Sequence, residues 1–263
     1  MGDNLTHALS ALQTARNVAS TGEPDCETWN ALGGDTSGPL VSPYTVTEAD
    51  AKGPFTPRIP ADVDRAAMLP ALGYQSLIEK LGERFHAAPA LLLSLNQGVP
   101  PEVGHVIQVP ATQPFDPDVK PAADANAGSL TIQVSRAESA LRATRADGTL
   151  LFFAPVSSGS EHDPLPIGHW KVTGVSWHPV FHYNPHLFWD AQPDQTRATL
   201  KAGPNNPVGI VWIEVNIDHY GIHGTPEPGH VGHTESHGCV RLTNWDAARL
   251  SSMVKPGTPV VFQ

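Results

Sequence analysis

The residues of this 263-residue chain best suited to chemistry lie close together near its C-terminus: His223-Gly224-Thr225, then Ser236-His237-Gly238-Cys239-Val240-Arg241. Cys239 therefore stands in a glycine- and histidine-rich turn. A free cysteine is only slightly ionised at neutral pH, so a thiol nucleophile needs an imidazole or an oriented dipole beside it. His223 and His237 are both candidates for that partner. Gly238 leaves the backbone N–H groups around Cys239 unobstructed, which suits a pocket for the oxyanion of a tetrahedral intermediate. The reaction class that this pattern suggests is acyl transfer through a thioester.

Other readings of the same residues stay open at this point. A cysteine and a histidine close in sequence also serve purely structural roles. His219, His223, His230, His233 and His237 precede Cys239 and could supply zinc ligands. No second sulfur stands at CxxC spacing, however, and Gly224-Thr225-Pro226-Glu227-Pro228-Gly229 cannot be the helix that would align His223 with His230. His230 and His233 read equally well as surface histidines.

The elements that must position this turn can be read from apolar spacing and from glycine and proline. Thr6–Asn17 carries Ala8, Leu9, Leu12 and Ala15 at helical spacing. A turn over residues 20–25 then caps a second helix before Trp29 and Leu32. Leu40–Thr47 reads as a strand, and the proline-rich stretch from Lys52 to Pro70 as irregular. Leu77, Leu81 and Phe85 mark a helix, Pro89 opens another through Leu95, and His105–Val109 returns as a strand. Residues 111–128, rich in Ala, Pro and Asp, form a linker.

From residue 129 the pattern becomes β-rich. Leu130–Val134 alternates, Asp147-Gly148 has the signature of a tight hairpin turn, and residues 170–175, 208–215 and 259–262 supply further strands. Trp245–Val254 reads as a helix capped by Thr243 or Asn244. The expectation is a mainly β catalytic domain, a mixed β-sandwich over 129–263, preceded by small α and α+β modules. Trp170 and Trp212 are assigned to the core, Asn184 and Asn205 to turns.

The formal net charge of −10 argues against nucleic acid or an anionic membrane surface as the main partner. No run of eighteen apolar residues exists to form a transmembrane helix. The two cysteines are Cys26 and Cys239, and pairing them would consume the proposed nucleophile, so both are expected to be free. Cys26 reads as a small residue at a helix start. No cofactor is implied.

Four segments carry a family resemblance. Residues 219–250, HYGIHGTPEPGHVGHTESHGCVRLTNWDAARL, resemble the active-site segment of the L,D-transpeptidases, the YkuD-type cysteine enzymes of peptidoglycan cross-linking. Residues 155–172, 183–191 and 203–215 are similar to the family's other blocks, in the same order. The resemblance implies that Cys239 is the nucleophile, His223 the general base and the Gly224 carbonyl the group that orients it. It further implies that His237 and Gly238 shape the turn and oxyanion hole, and that Ser236, Arg241, Tyr220 and Trp189 face substrate. Arg241 stands where many members carry Asn, and the loop after His223 is short for the family.

Residues 4–35 resemble half of a helical peptidoglycan-binding domain. Residues 40–110, with an insertion, resemble a LysM module, which binds N-acetylglucosamine-containing glycans. The partners implied are peptidoglycan stem peptides, glycan strands and an envelope lipoprotein as an alternative acceptor. The implied location is the periplasm or cell envelope, reached through an export signal or lipid anchor not seen before Asn4. Carbapenem acylation of Cys239 is expected on the same analogy. The implied reaction is cleavage of a meso-diaminopimelate–D-Ala bond with transfer of the acyl group to an amine. Water as acceptor would give an L,D-carboxypeptidase instead. A wall-binding protein without catalysis is the alternative of a different class.

Overall fold

Asp25 begins the second of two short N-terminal helices by accepting a hydrogen bond from the Thr28 N–H at 2.7 Å. In this computed structural model, which describes residues 2–33 and 38–263, the first helix is α1 (Asp3–Ala15) and the second α2 (Cys26–Ala31). Gln13 is fully buried between them. Its amide donates to the Thr28 hydroxyl at 2.6 Å and accepts from the Gly22 N–H at 2.8 Å, so one polar side chain ties α1 to the turn before α2. Cys26 is the exposed first residue of α2, and both cysteines are free. Residues 34 and 35, the end of the segment likened to a peptidoglycan-binding domain, lie outside the described residues.

The chain groups into two compact units. One comprises Gly38–Lys120 and His178–Ile210. In it β1 (Val41–Thr45) is followed by the helices α3 (Glu48–Ala51), α4 (Val63–Ala67), α5 (Leu77–Arg84) and α6 (Pro89–Leu95), then by β2 (Val106–Pro110). β2 pairs antiparallel with β1, Tyr44 opposite Ile107. Val46, Leu81, Phe85, Leu92, Ile107 and Val109 form the core between this hairpin and α5 and α6. The stretch read as irregular over 52–70 needs one correction: it contains α4, because Asp62 caps its first turn by accepting from the Arg65 N–H at 2.8 Å.

The other unit comprises Met1–Ser37, Pro121–Trp177 and Val211–Gln263. Its strands are β3 (Leu130–Ser135), β4 (Ala140–Arg145), β5 (Leu150–Pro155), β6 (Ser157–Ser158) and β7 (Gly168–Trp177). The chain then leaves this unit for β8 (Phe181–Tyr183) and β9 (Ala198–Leu200), an antiparallel pair. Their Tyr183 and Leu200 share a core with Ala66 and Leu72. β10 (Val211–Val215), β11 (Gly221–His223), β12 (Val240–Arg241), the helix α7 (Asn244–Ser251) and β13 (Pro259–Phe262) belong again to the unit of β3–β7.

The sheet of this unit has nine strands in the order β5-β4-β3-β13-β7-β10-β11-β12-β6. β11 and β12 pair in parallel, as do β13 and β3; the remaining neighbours are antiparallel. Alternation decides which face is buried. Ile132, Val134, Val172, Ile213, Val215, Ile222, Val240 and Phe262 all lie at 3% exposure or less, with Leu250 of α7. The unit is thus mostly β, built on one mixed sheet. Among the described residues, no helix is long and apolar enough to cross a membrane.

Candidate active site

Three adjacent strands bring the chemistry together. β10 pairs with β11 so that Trp212 lies opposite His223, and β11 pairs with β12 so that His223 lies beside Arg241. Cys239 immediately precedes β12 and Tyr220 immediately precedes β11. Because facing residues on paired strands point to the same side of a sheet, Trp212, His223 and Arg241 form a row across one face.

His223 is buried, at 4% exposure, and its Nδ1 donates to the Gly224 carbonyl oxygen at 2.6 Å. A carbonyl can only accept, so the proton sits on Nδ1 and the lone pair on Nε2. Burial, reinforced by the Arg241 charge and opposed by the Gly224 hydrogen bond, holds the imidazole down at about 3. Cys239 is half-buried, and its thiol donates to the His219 carbonyl oxygen at 3.6 Å. Burial pushes this thiol up to about 11 against the opposing pull of the Gly221 N–H and of Arg241. Both groups are therefore neutral at rest, and the proton must leave the sulfur as it attacks.

Gly238 sits at φ +95°, and a Cβ there would lie 2.5 Å from Tyr220 Cε1. The turn before the cysteine is thus glycine for two reasons, its left-handed backbone and the ring packed on it. Burial raises the Tyr220 hydroxyl above its ordinary range, and the Asp163 carboxylate, together with a Cys239 thiolate once formed, raises it further. Tyr220 therefore packs on Gly238, the residue before the cysteine. Arg241 is held below its usual range by burial, while a Cys239 thiolate, once formed, and Glu227 favour its charge.

Ser236, expected to face substrate, has a different place. It is 3% exposed, accepts from the Gly159 N–H at 2.7 Å and donates to the Cys239 carbonyl oxygen at 2.6 Å. Its hydroxyl is engaged inside the protein and holds the turn in shape. Trp189 is exposed and belongs to the unit of Gly38–Lys120 and His178–Ile210, whereas every other candidate belongs to the sheet unit. His237 is half-buried in the turn. His219, His230 and His233 are exposed, and among the described residues no three His, Cys, Asp or Glu side chains converge as a metal would require.

Trp212, assigned to the core from its sequence, is part of the site. Its indole stacks on the His223 ring with centroids 5.4 Å apart and planes 18° from parallel. Gly221 makes room for it, since a Cβ there would lie 2.5 Å from the indole. A glycine inside a strand two residues before the histidine was the available signal, because it marks close approach by a neighbour.

The chain belongs to the YkuD family of L,D-transpeptidase catalytic domains, whose profile matches residues 129–262. It is 44% identical over 59 residues to the YkuD protein of Bacillus subtilis strain 168, a stretch covering 22% of this chain and 36% of that protein. To the YbiS protein of Escherichia coli K12 it is 37% identical over 92 residues, covering 35% of this chain and 29% of the relative. The matches thus span about a third of these relatives' lengths. The solved structure of L,D-transpeptidase 3 from Mycobacterium tuberculosis is 18% identical, with a TM-score of 0.42, covering 61% of this chain and 75% of that one.

Proposed function

We propose that the protein is a peptidoglycan L,D-transpeptidase working through a Cys239 acyl-enzyme. The observation that carries this reading is the 2.6 Å bond from His223 Nδ1 to the Gly224 carbonyl, which leaves Nε2 as the base on the strand beside the cysteine. Nε2 takes the thiol proton as the sulfur attacks the carbonyl of the third stem residue, meso-diaminopimelate. The oxyanion settles on N–H groups of the Gly238-Cys239 turn. His223 returns its proton to the departing amine of D-Ala, and the thioester then passes to an acceptor amine. Tyr220, just before β11, and Arg241, on β12, take the substrate side of this site.

The acceptor is a diaminopimelate side chain of a second stem, giving a 3→3 cross-link, or a lysine of an envelope lipoprotein. The β1–β2 pair sharing a core with α5 and α6 supports a glycan-binding LysM-like role for residues 40–110. Residues 4–35 serve as a further wall-binding segment on the same resemblance, and the cell envelope follows as the place of action.

Incubating the protein with a disaccharide-tetrapeptide and analysing products by mass spectrometry, alongside Cys239→Ala, tests this. A cross-linked dimer with loss of D-Ala, in wild type only, supports transpeptidation. A tripeptide alone means that water is the acceptor and the enzyme is a carboxypeptidase. No product from either protein overturns the catalytic reading.

A further inference from the structure

His223 is flanked within the sheet by two unlike neighbours, Trp212 on β10 and Arg241 on β12. When the imidazole takes the Cys239 proton it becomes a cation in a buried place already beside a guanidinium. The opposite flank is an aromatic face lying nearly parallel to the imidazole at 5.4 Å. An aromatic face attracts a cation and is nearly indifferent to a neutral ring. Such an interaction grows as the proton is transferred, which is the condition for lowering a barrier rather than tightening ground-state binding. The stack also blocks rotation of the imidazole away from the Gly224 carbonyl. Gly221 is what admits the indole, because any side chain there would occupy the same space.

We propose that Trp212 is a positioning residue for His223, holding the imidazole in its Nδ1–H orientation and stabilising the imidazolium formed during acylation. This rests on the acyl-transfer reading of Cys239 and His223. It deepens that reading by adding a residue that acts through the His223 ring on which it stacks.

Trp212→Leu and Trp212→Phe in the full chain test it, with melting curves to confirm folding. Trp212→Leu is expected to lower the first-order rate of Cys239 acylation by a tetrapeptide about tenfold, with KM within about twofold, and Trp212→Phe about threefold. In 15N-histidine NMR, the His223 Nδ1–H signal of the wild type should broaden or move to a tautomer mixture in Trp212→Leu. An unchanged His223 spectrum with wild-type acylation overturns the proposal, as does a change in KM alone. Should wild-type protein fail to acylate, the reaction reading falls while the NMR comparison still decides whether Trp212 orients the ring. If Trp212→Leu does not fold, Trp212→Phe carries the test, and no loss of rate in it overturns the proposal.

Discussion

The hydroxyl of Ser236 donates to the carbonyl oxygen of Cys239 at 2.6 Å while accepting from the Gly159 N–H, so the turn that presents the nucleophile is fastened from inside. Ser236→Ala leaves that buried N–H and the Cys239 carbonyl without this partner, at a cost of about 1–3 kcal/mol. Chemical denaturation should show the loss of stability, and acylation of Cys239 should slow about tenfold with little change in KM. A rise in KM alone would return Ser236 to the substrate side.

Gly238→Ala is predicted to be more damaging. The residue is left-handed, and the new methyl would meet Tyr220 Cε1 at 2.5 Å. Activity should fall at least about tenfold. Replacing Tyr220 by Ala in the same chain should recover part of the stability lost but not the part owed to the backbone, so a double-mutant cycle separates the two.

The two neutral groups predict a pH signature. In a Cys26→Ser background, which removes the exposed thiol, alkylation of Cys239 by iodoacetamide should climb about tenfold per pH unit past pH 9 and level off only near 11. A plateau by pH 8 would mean that the thiol is already ionised at rest.

Stability follows the same shifts. The His223 value is depressed from 6.5 to about 3, so its contribution is complete above 6.5 and is lost as pH falls towards 3. Each unit is worth about 1.4 kcal/mol. Asp246 acts oppositely: burial raises it from 3.8 to about 6, so its contribution is lost as pH rises through that interval. Denaturation of His223→Gln between pH 4 and 7 isolates the first effect and should show a flatter acid limb than wild type.

The α1 helix supplies a fifth prediction. Asn4 donates to the Val231 carbonyl at 2.9 Å, and Gly232 leaves space for the Asn4 side chain. Asn4→Ala should cost about 0.5–1.5 kcal/mol and speed amide exchange within residues 225–236. Unchanged exchange there would show that the contact does not hold the loop.

What the sequence disclosed was local. Cys239 and His223 stand out because thiol chemistry needs both residue types near a glycine turn, and α6 is legible from Pro89 and the stop at Asn96-Gln97-Gly98. Trp212 was not legible as a site residue. In β10 the residues Val211, Ile213 and Val215 are buried, and Gly221 signals only that some neighbour comes close; strand register is what places Trp212 on His223. The tie from Ser236 to Gly159 spans 77 residues and was hidden for the same reason. The grouping of His178–Ile210 with Gly38–Lys120 depends on the shared core of Tyr183 and Leu200 with Ala66 and Leu72, again a non-local fact.

The central claim is that Cys239 forms a covalent acyl-enzyme, and intact-protein mass spectrometry during turnover of a disaccharide-tetrapeptide tests it most directly. The account predicts a transient adduct equal to the stem shortened by D-Ala, mapped to Cys239 and absent from both Cys239→Ala and His223→Ala. An adduct on another residue, or turnover that survives in Cys239→Ala, would contradict it.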